Sequence, residues 1–147
     1  MINHVLVLCL GNICRSPMAE GLLRQKCPGL IVTSAGLMGM TGWTADPSSI
    51  LIMREMGIDI TAHRGRNLTE DMVNAADLIL TMEAQQTHTV ETRFPQSRGK
   101  VVRLGEYDDY DIADPFNRDL DFFRNTLKLI EQGVDRLIHE KRLNQRT

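Results

Sequence analysis

The sequence has no excess of charge of either sign. Its 147 residues carry 17 lysines and arginines against 19 aspartates and glutamates, a formal net charge of −2. Such a balance gives no support to a surface for nucleic acid or for an anionic membrane. Long apolar runs are also missing, and none approaches the roughly 20 residues that a membrane span requires. The N-terminal stretch "MINHVLVLCLGN" has no basic leader and no small-residue cleavage site, so a cytoplasmic protein is expected. Cysteine is scarce and odd in number, with only Cys9, Cys14 and Cys27, which argues against a disulfide framework. There is no internal repeat, low-complexity stretch or linker. A single domain with its own core is expected over residues 1–147, in keeping with 42% hydrophobic and 24% charged residues.

What is present is an alternation of strand and helix patterns. "HVLVLC" (4–9) reads as a buried strand, followed by a helix from about Pro17 to Lys26 that Pro28-Gly29 stops. "LIVTSAG" (30–36) is a second strand, and "LMGMTGWT" (37–44) is a loop. Asp46-Pro47 opens a helix ending near Gly57, and Thr69 caps a short one in "NLTEDMVNAA". "DLILTM" (77–82) and "KVVRL" (100–104) are the third and fourth strands, with a helix between them reaching about Phe94. An acidic loop, 106–119, leads to a long helix from about Leu120 to Arg142. Phe123, Leu127, Ile130, Val134, Leu137 and Ile138 fall on one side of it. This order predicts an α/β fold with a central four-stranded parallel sheet, helices on both faces, and ligands beyond the carboxyl ends of the strands.

"CLGNICRS" (9–16) lies at that end of the first strand and runs into the first helix. A helix N-terminus offers unpaired N–H groups and a positive dipole end, so it binds anions. Gly11 is expected to let successive N–H groups turn inward, and Arg15 adds a fork suited to two phosphate oxygens. A field that binds an anion also favours a thiolate, which makes Cys9 a candidate nucleophile. Other readings of the thiols compete with this one. Buried apolar cysteines are common. A zinc site needs about four spaced ligands, and Cys27 with the four histidines forms no such set. A dithiol redox pair normally has about two residues between its cysteines, whereas Cys9 and Cys14 have four. The specific element is Cys-x5-Arg-Ser between a strand and a helix.

"VLCLGNICRSPMAEGLL" resembles the signature of the low-molecular-weight protein tyrosine phosphatases. "SAG" (34–36), "DLILTM" and "DPF" (114–116) extend the resemblance over nearly the whole chain, and the length and short 37–44 loop look most like bacterial members. The resemblance implies a phosphate-binding loop between the first strand and first helix. In it Cys9 attacks phosphorus, and Arg15 with the amides from Leu10 through Gly11, Asn12, Ile13 and Cys14 holds the equatorial oxygens. It implies that Ser16 hydrogen-bonds the thiolate, that Asn12 holds the loop, and that Ser34 and His63 support it. A lone histidine is otherwise usually a surface or satisfied residue. Asp114 is implied as general acid, where Asp-Pro would otherwise read as a common turn beside Asp108, Asp109 and Asp111. From their positions in the 37–44 loop and after Asp-Pro, Trp43 and Phe116 are expected to sandwich a phenyl ring as aromatic walls, with Trp43 alternatively a hydrophobic anchor for its loop. Separately from the resemblance, a tight loop is expected to bring Cys14 close enough to capture an oxidised Cys9 as a disulfide, the alternative being that Cys14 only packs beneath the loop. Phe116-Asn117 stand where the family often has tyrosines, although Tyr107 and Tyr110 are near.

No metal or cofactor is implied, since Arg15 and the amides supply the positive charge. The implied activity is hydrolysis of phosphotyrosine through a cysteinyl-phosphate. The implied partner is a membrane tyrosine autokinase of exopolysaccharide production, and the implied state is a monomer. Three alternatives share the fold. A phosphoarginine phosphatase tends to carry threonine where this chain has Ile13. An arsenate reductase uses further cysteines, and none follows Cys27. A non-catalytic phosphotyrosine-binding module would not be expected to keep Cys9, Arg15 and Asp114 together.

Overall fold

In a computed structural model, which describes residues 1–143, the chain forms one α/β domain around a four-stranded parallel sheet. The strands are β1 (His4–Cys9), β2 (Ile31–Gly36), β3 (Leu78–Thr81) and β4 (Val101–Arg103), in the order β2-β1-β3-β4. Side chains alternate across β1. Val5, Val7 and Cys9 face one apolar core, while Leu6 and Leu8 face the other. Helices α1 (Arg15–Lys26), α2 (Pro47–Glu55) and α5 (Leu120–Lys141) cover the first core through Met18, Leu22, Ile52, Phe123, Ile130 and Val134. Helices α3 (Glu70–Ala75) and α4 (Ala84–Arg93) cover the second through Val73 and Val90.

The helix caps follow the sequence. Asp46 accepts from the N–H of Ser48 and Thr69 from Met72, at 2.9 and 3.3 Å, and Asp119, for which no cap is expected from the sequence, accepts from Phe122 at 2.9 Å. The start of α1 is different. It begins at Arg15 rather than Pro17, and Cys14, which precedes it, makes no side-chain cap. Its first-turn N–H groups are therefore not satisfied by a capping side chain. Strand β3 is one residue shorter at each end than the expected 77–82, and Asp77 stands just before it. Its carboxylate accepts from the N–H groups of Asn3 and His4, at 2.8 and 2.9 Å, tying down the entry to β1.

The strand order places the site. The chain leaves β1 toward β2 on one side and later returns to β3 on the other, so the carboxyl end of β1 is the topological switch point of the sheet. The loop after Cys9 occupies it. Gly36, at the end of β2, is required there: a Cβ would lie 2.7 Å from the Leu10 carbonyl oxygen and 2.8 Å from the Gly39 Cα.

Candidate active site

The loop between β1 and α1 is held from outside by its carbonyls. Those of Cys9, Leu10, Gly11 and Ile13 accept from the N–H groups of Leu37, Met38, Met40 and Asp46, at 2.8–3.0 Å. The Asn12 carbonyl lies 2.6 Å from His63 Nε2, and the Cys14 carbonyl accepts from Ser49 Oγ at 3.4 Å. Every peptide here is trans, so each outward C=O sets the N–H of the next residue on the opposite side. The N–H groups of Leu10 to Arg15 thus turn toward the space over Cys9. The residue that bends the loop is Asn12, at φ 59°, and not Gly11, whose φ is ordinary. Asparagine tolerates this left-handed conformation better than most residues, and here its side chain is also fully bonded.

That bonding fixes the thiol. Asn12 Nδ2 donates to Ser16 Oγ at 2.7 Å and to Ser34 Oγ at 3.0 Å, while Asn12 Oδ1 accepts from the Arg66 N–H at 3.0 Å. Ser16 Oγ lies 3.0 Å from Cys9 Sγ. Because Ser16 accepts from Asn12, its own proton is free to go to the sulfur. Ser34 in turn donates to Glu20 Oε1 at 2.9 Å, and Glu20 Oε2 pairs with Arg24 at 2.8 Å. The carbonyl of Asn12 can only accept, so His63 carries its proton on Nε2; its Nδ1 then faces Glu20 Oε1 at 3.7 Å. Ser16, Ser34 and His63 are all drawn into one network beneath the loop.

Arg15 is 1% exposed. Its Nη1 donates to the Glu83 carboxylate and, at 2.7 Å, to the Ile112 carbonyl. Its buried Nε has no partner among the described residues, a cost that an oxyanion on the loop would remove. Asp114 Oδ2 stands 3.9 Å from Arg15 Nη2, while its Oδ1 accepts from the Phe116 N–H at 3.1 Å. The other loop aspartates are engaged elsewhere. Arg103 donates to Asp111 at 2.9 Å and to Asp109 at 2.7 Å, and Asp111 also accepts from the Ala84 N–H at 3.0 Å. The hydrogen bond from Arg103, with help from that N–H, holds the Asp111 carboxyl below the usual carboxylate range. Tyr110 anchors the same loop, its hydroxyl donating to the Leu129 carbonyl at 2.7 Å.

These groups open onto a cavity of about 250 Å³. Cys9, Gly11, Cys14 and Arg15 line it with Asp114, and Leu10, Ile13, Met38, Met40 and Phe116 make its apolar wall. Trp43 is not among the lining residues; it is 54% exposed in the loop before α2. The wall expected of Trp43 is made instead by two methionines, whose unbranched side chains fill irregular gaps. A larger groove of about 580 Å³ lies against Glu20, Arg24 and His63, but no cysteine, serine or threonine lines it, so size does not locate the thiol chemistry. Cys14 is buried, and burial foremost, then the Asp46 charge, pushes its thiol pKa up, so it stays protonated.

Sequence reasoning missed Glu83, Ile112, Glu20, Arg66 and the two methionines. Glu83 directly follows the third strand pattern, at a carboxyl end where ligand-facing residues gather, which is the one signal that pointed to it.

A doubly wound domain with an anion cradle over a cysteine at its switch point defines a class, in which the fold presents a thiol to a bound oxyanion. The model of the low molecular weight phosphotyrosine protein phosphatases matches residues 4–147. The probable low molecular weight protein-tyrosine-phosphatase EpsP of Ralstonia nicotianae is 49% identical over 135 residues, 92% of this chain and 93% of that one. Vibrio vulnificus Wzb in complex with benzylphosphonate superposes with a TM-score of 0.92 at 30% identity, covering 95% of this chain and 99% of that one. The YwlE arginine phosphatase of Geobacillus stearothermophilus does so with 0.90 at 33%, covering 97% and 95%. The chain belongs to the low molecular weight protein-tyrosine phosphatase family. Among the described residues no helix is long and apolar enough to cross a membrane.

Proposed function

We propose that the chain hydrolyses phosphotyrosine in proteins through a cysteinyl-phosphate on Cys9. The observation that carries this reading is the convergence on one small cavity of Cys9, the inward N–H groups of Leu10 to Arg15, Arg15 itself and Asp114. The phosphoryl oxygens sit on those N–H groups and on the free Nε of Arg15, where charge accumulates in the transition state. Cys9 sulfur attacks phosphorus, and the bond to the phenolic oxygen breaks as that oxygen takes the proton of Asp114. Water then attacks the cysteinyl-phosphate and gives its proton back to Asp114. Phosphate leaves and the Cys9 thiolate is regenerated, held by the Ser16 hydroxyl.

The apolar wall of Met38, Met40 and Phe116 and the apolar Ile13 favour an aromatic ester over a guanidino phosphate. Benzylphosphonate, which occupies a structural relative, has the same aromatic-plus-phosphoryl shape. The physiological substrate in this reading is a membrane tyrosine autokinase of exopolysaccharide production, and the enzyme is a cytoplasmic monomer. Cys9→Ser should abolish hydrolysis of p-nitrophenyl phosphate yet still bind phosphate or vanadate, and it should trap the autokinase from a native lysate. Appreciable turnover by that variant, or a wild type that prefers phosphoarginine to phosphotyrosine, overturns the reading.

Cys14 has a redox role in the same proposal. Peroxide converts the Cys9 thiolate to a sulfenic acid; the Cys14 thiol, protonated at rest, gives its proton to the departing hydroxyl as its sulfur attacks, so that water leaves and a disulfide forms that external thiols reduce. Packing alone would give Cys14 no part in recovery from oxidation.

A further inference from the structure

The wall of the catalytic cavity continues outward at Met38. This side chain, 72% exposed, is shared with an open groove of about 580 Å³ whose other lining residues are Leu37, Gly39, Asn67, Leu68 and Arg93. The floor of the groove is closely packed backbone. The Gly39 N–H donates to Asn67 Oδ1 at 2.5 Å, and a Cβ on Gly39 would lie 2.3 Å from the Arg66 carbonyl oxygen. Arg93, in the last turn of α4, has its guanidinium 5.3 Å from the centroid of the Phe94 ring. Among the described residues it has no acidic partner, unlike Arg15, Arg24, Arg103 and Arg124.

We infer that this groove binds the polypeptide that flanks the phosphotyrosine, and that Arg93 selects an acidic residue there. The inference rests on the reading that the cavity takes phosphotyrosine. A phosphotyrosine seated over Cys9 must leave its main chain at the mouth, where Leu10, Met38 and Phe116 form an exposed apolar rim. The Met38 side of that rim opens into a second concave surface whose lining includes a guanidinium with no acidic partner among the described residues. An extended chain advances about 3.3 Å per residue, so the two or three residues nearest the phosphotyrosine reach into a groove that adjoins the cavity. Apolar side chains there rest on Leu37 and Met38, and a carboxylate pairs with a guanidinium that no protein carboxylate already holds. The substrate class is thus a phosphotyrosine within about three residues of an aspartate or glutamate.

An exposed charge pair is weak and screened by salt, so the expected preference is about two- to fivefold at low ionic strength and fades in high salt. The test uses phosphotyrosyl peptides in which Glu, Ala or Lys is scanned through three positions on either side. Wild type, Arg93→Met, Arg93→Lys and Arg93→Glu are compared on them. Wild type should favour Glu at one position through KM, Arg93→Lys should keep the preference, Arg93→Met should lose it and Arg93→Glu should favour Lys. A wild type indifferent to charge at every position, or a preference that survives in Arg93→Met, overturns the inference. Turnover of p-nitrophenyl phosphate and of an unflanked phosphotyrosine amide reports the catalytic reading separately. Hydrolysis of those with no charge preference sinks the groove alone, and failure on every phosphotyrosyl substrate sinks both.

Discussion

Replacing Glu83 by glutamine removes the carboxylate from a guanidinium that is only 1% exposed. Arg15 would keep the Ile112 carbonyl, but its charge would be left without a close, bonded carboxylate, since Asp114 stands 3.9 Å away. Breaking a fully buried ion pair costs about 3–5 kcal/mol. The Glu83 side chain is 33% exposed, so water screens part of this, and about 1–3 kcal/mol is expected. At roughly 2–4 °C per kcal/mol for a chain of this size, the melting temperature should fall by about 2–12 °C. Arg15 would also lose the contact that aims it at the phosphoryl group, and kcat should fall about 10- to 100-fold. A further readout separates this account from general damage. Inorganic phosphate brings back the missing negative charge, so saturating phosphate should raise the melting temperature of Glu83→Gln by more than that of the wild type. Thermal melts with and without phosphate, together with kinetics on p-nitrophenyl phosphate, measure all three effects. Unchanged kcat and melting temperature, or a larger phosphate effect on the wild type, would refute the role given to Glu83.

Asp114→Asn should cut turnover by about 10²–10⁴-fold, and by more on phosphotyrosine than on nitrophenyl phosphate, whose leaving group needs a proton less. If Asp111→Asn or Asp109→Asn gives that pattern instead, the proton donor lies elsewhere in the loop. After brief peroxide and then dithiothreitol, wild type should regain most activity and Cys14→Ser little; equal recovery, or no Cys9–Cys14 linkage by mass spectrometry, leaves Cys14 as packing. The Asp111 carboxyl is held below its ordinary value, so its stabilising contribution is present above about pH 4 and is lost as pH falls through the lowered value. Asp111→Asn should therefore flatten the acid limb of a melting-temperature profile, and an unchanged slope would show that the contact with Arg103 does not bear on stability.

Local pattern carried a good deal of this. The run from Cys9 to Ser16 put the thiol, the cradle and the arginine within one loop, because strand, loop and helix N-terminus are consecutive and their spacing is read from sequence alone. The period of α5 was legible for the same reason, with Phe123, Leu127, Ile130, Val134, Leu137 and Ile138 all buried as their spacing requires. Asp46 and Thr69 each cap the helix that follows, since a cap acts over only two or three residues.

Tertiary structure decided what meets across the switch point. The two groups bonded to Arg15 Nη1, Glu83 and Ile112, lie 68 and 97 residues further along the chain. They reach it only because β3 lies next to β1 and the acidic loop returns over both. The wall of the cavity was likewise decided by the path of the 37–44 loop, whose bonds to the loop after β1 bring Met38 and Met40 to the cavity while Trp43 stays outside its lining. The bend at Asn12 belongs to the same class. Its side chain is bonded to Ser16, Ser34 and Arg66, and contacts from three segments stabilise a backbone conformation that sequence pattern assigned to the neighbouring glycine. Periodicity and spacing record what one segment does by itself, whereas ion pairs and cavity walls depend on which distant segments the sheet order brings together.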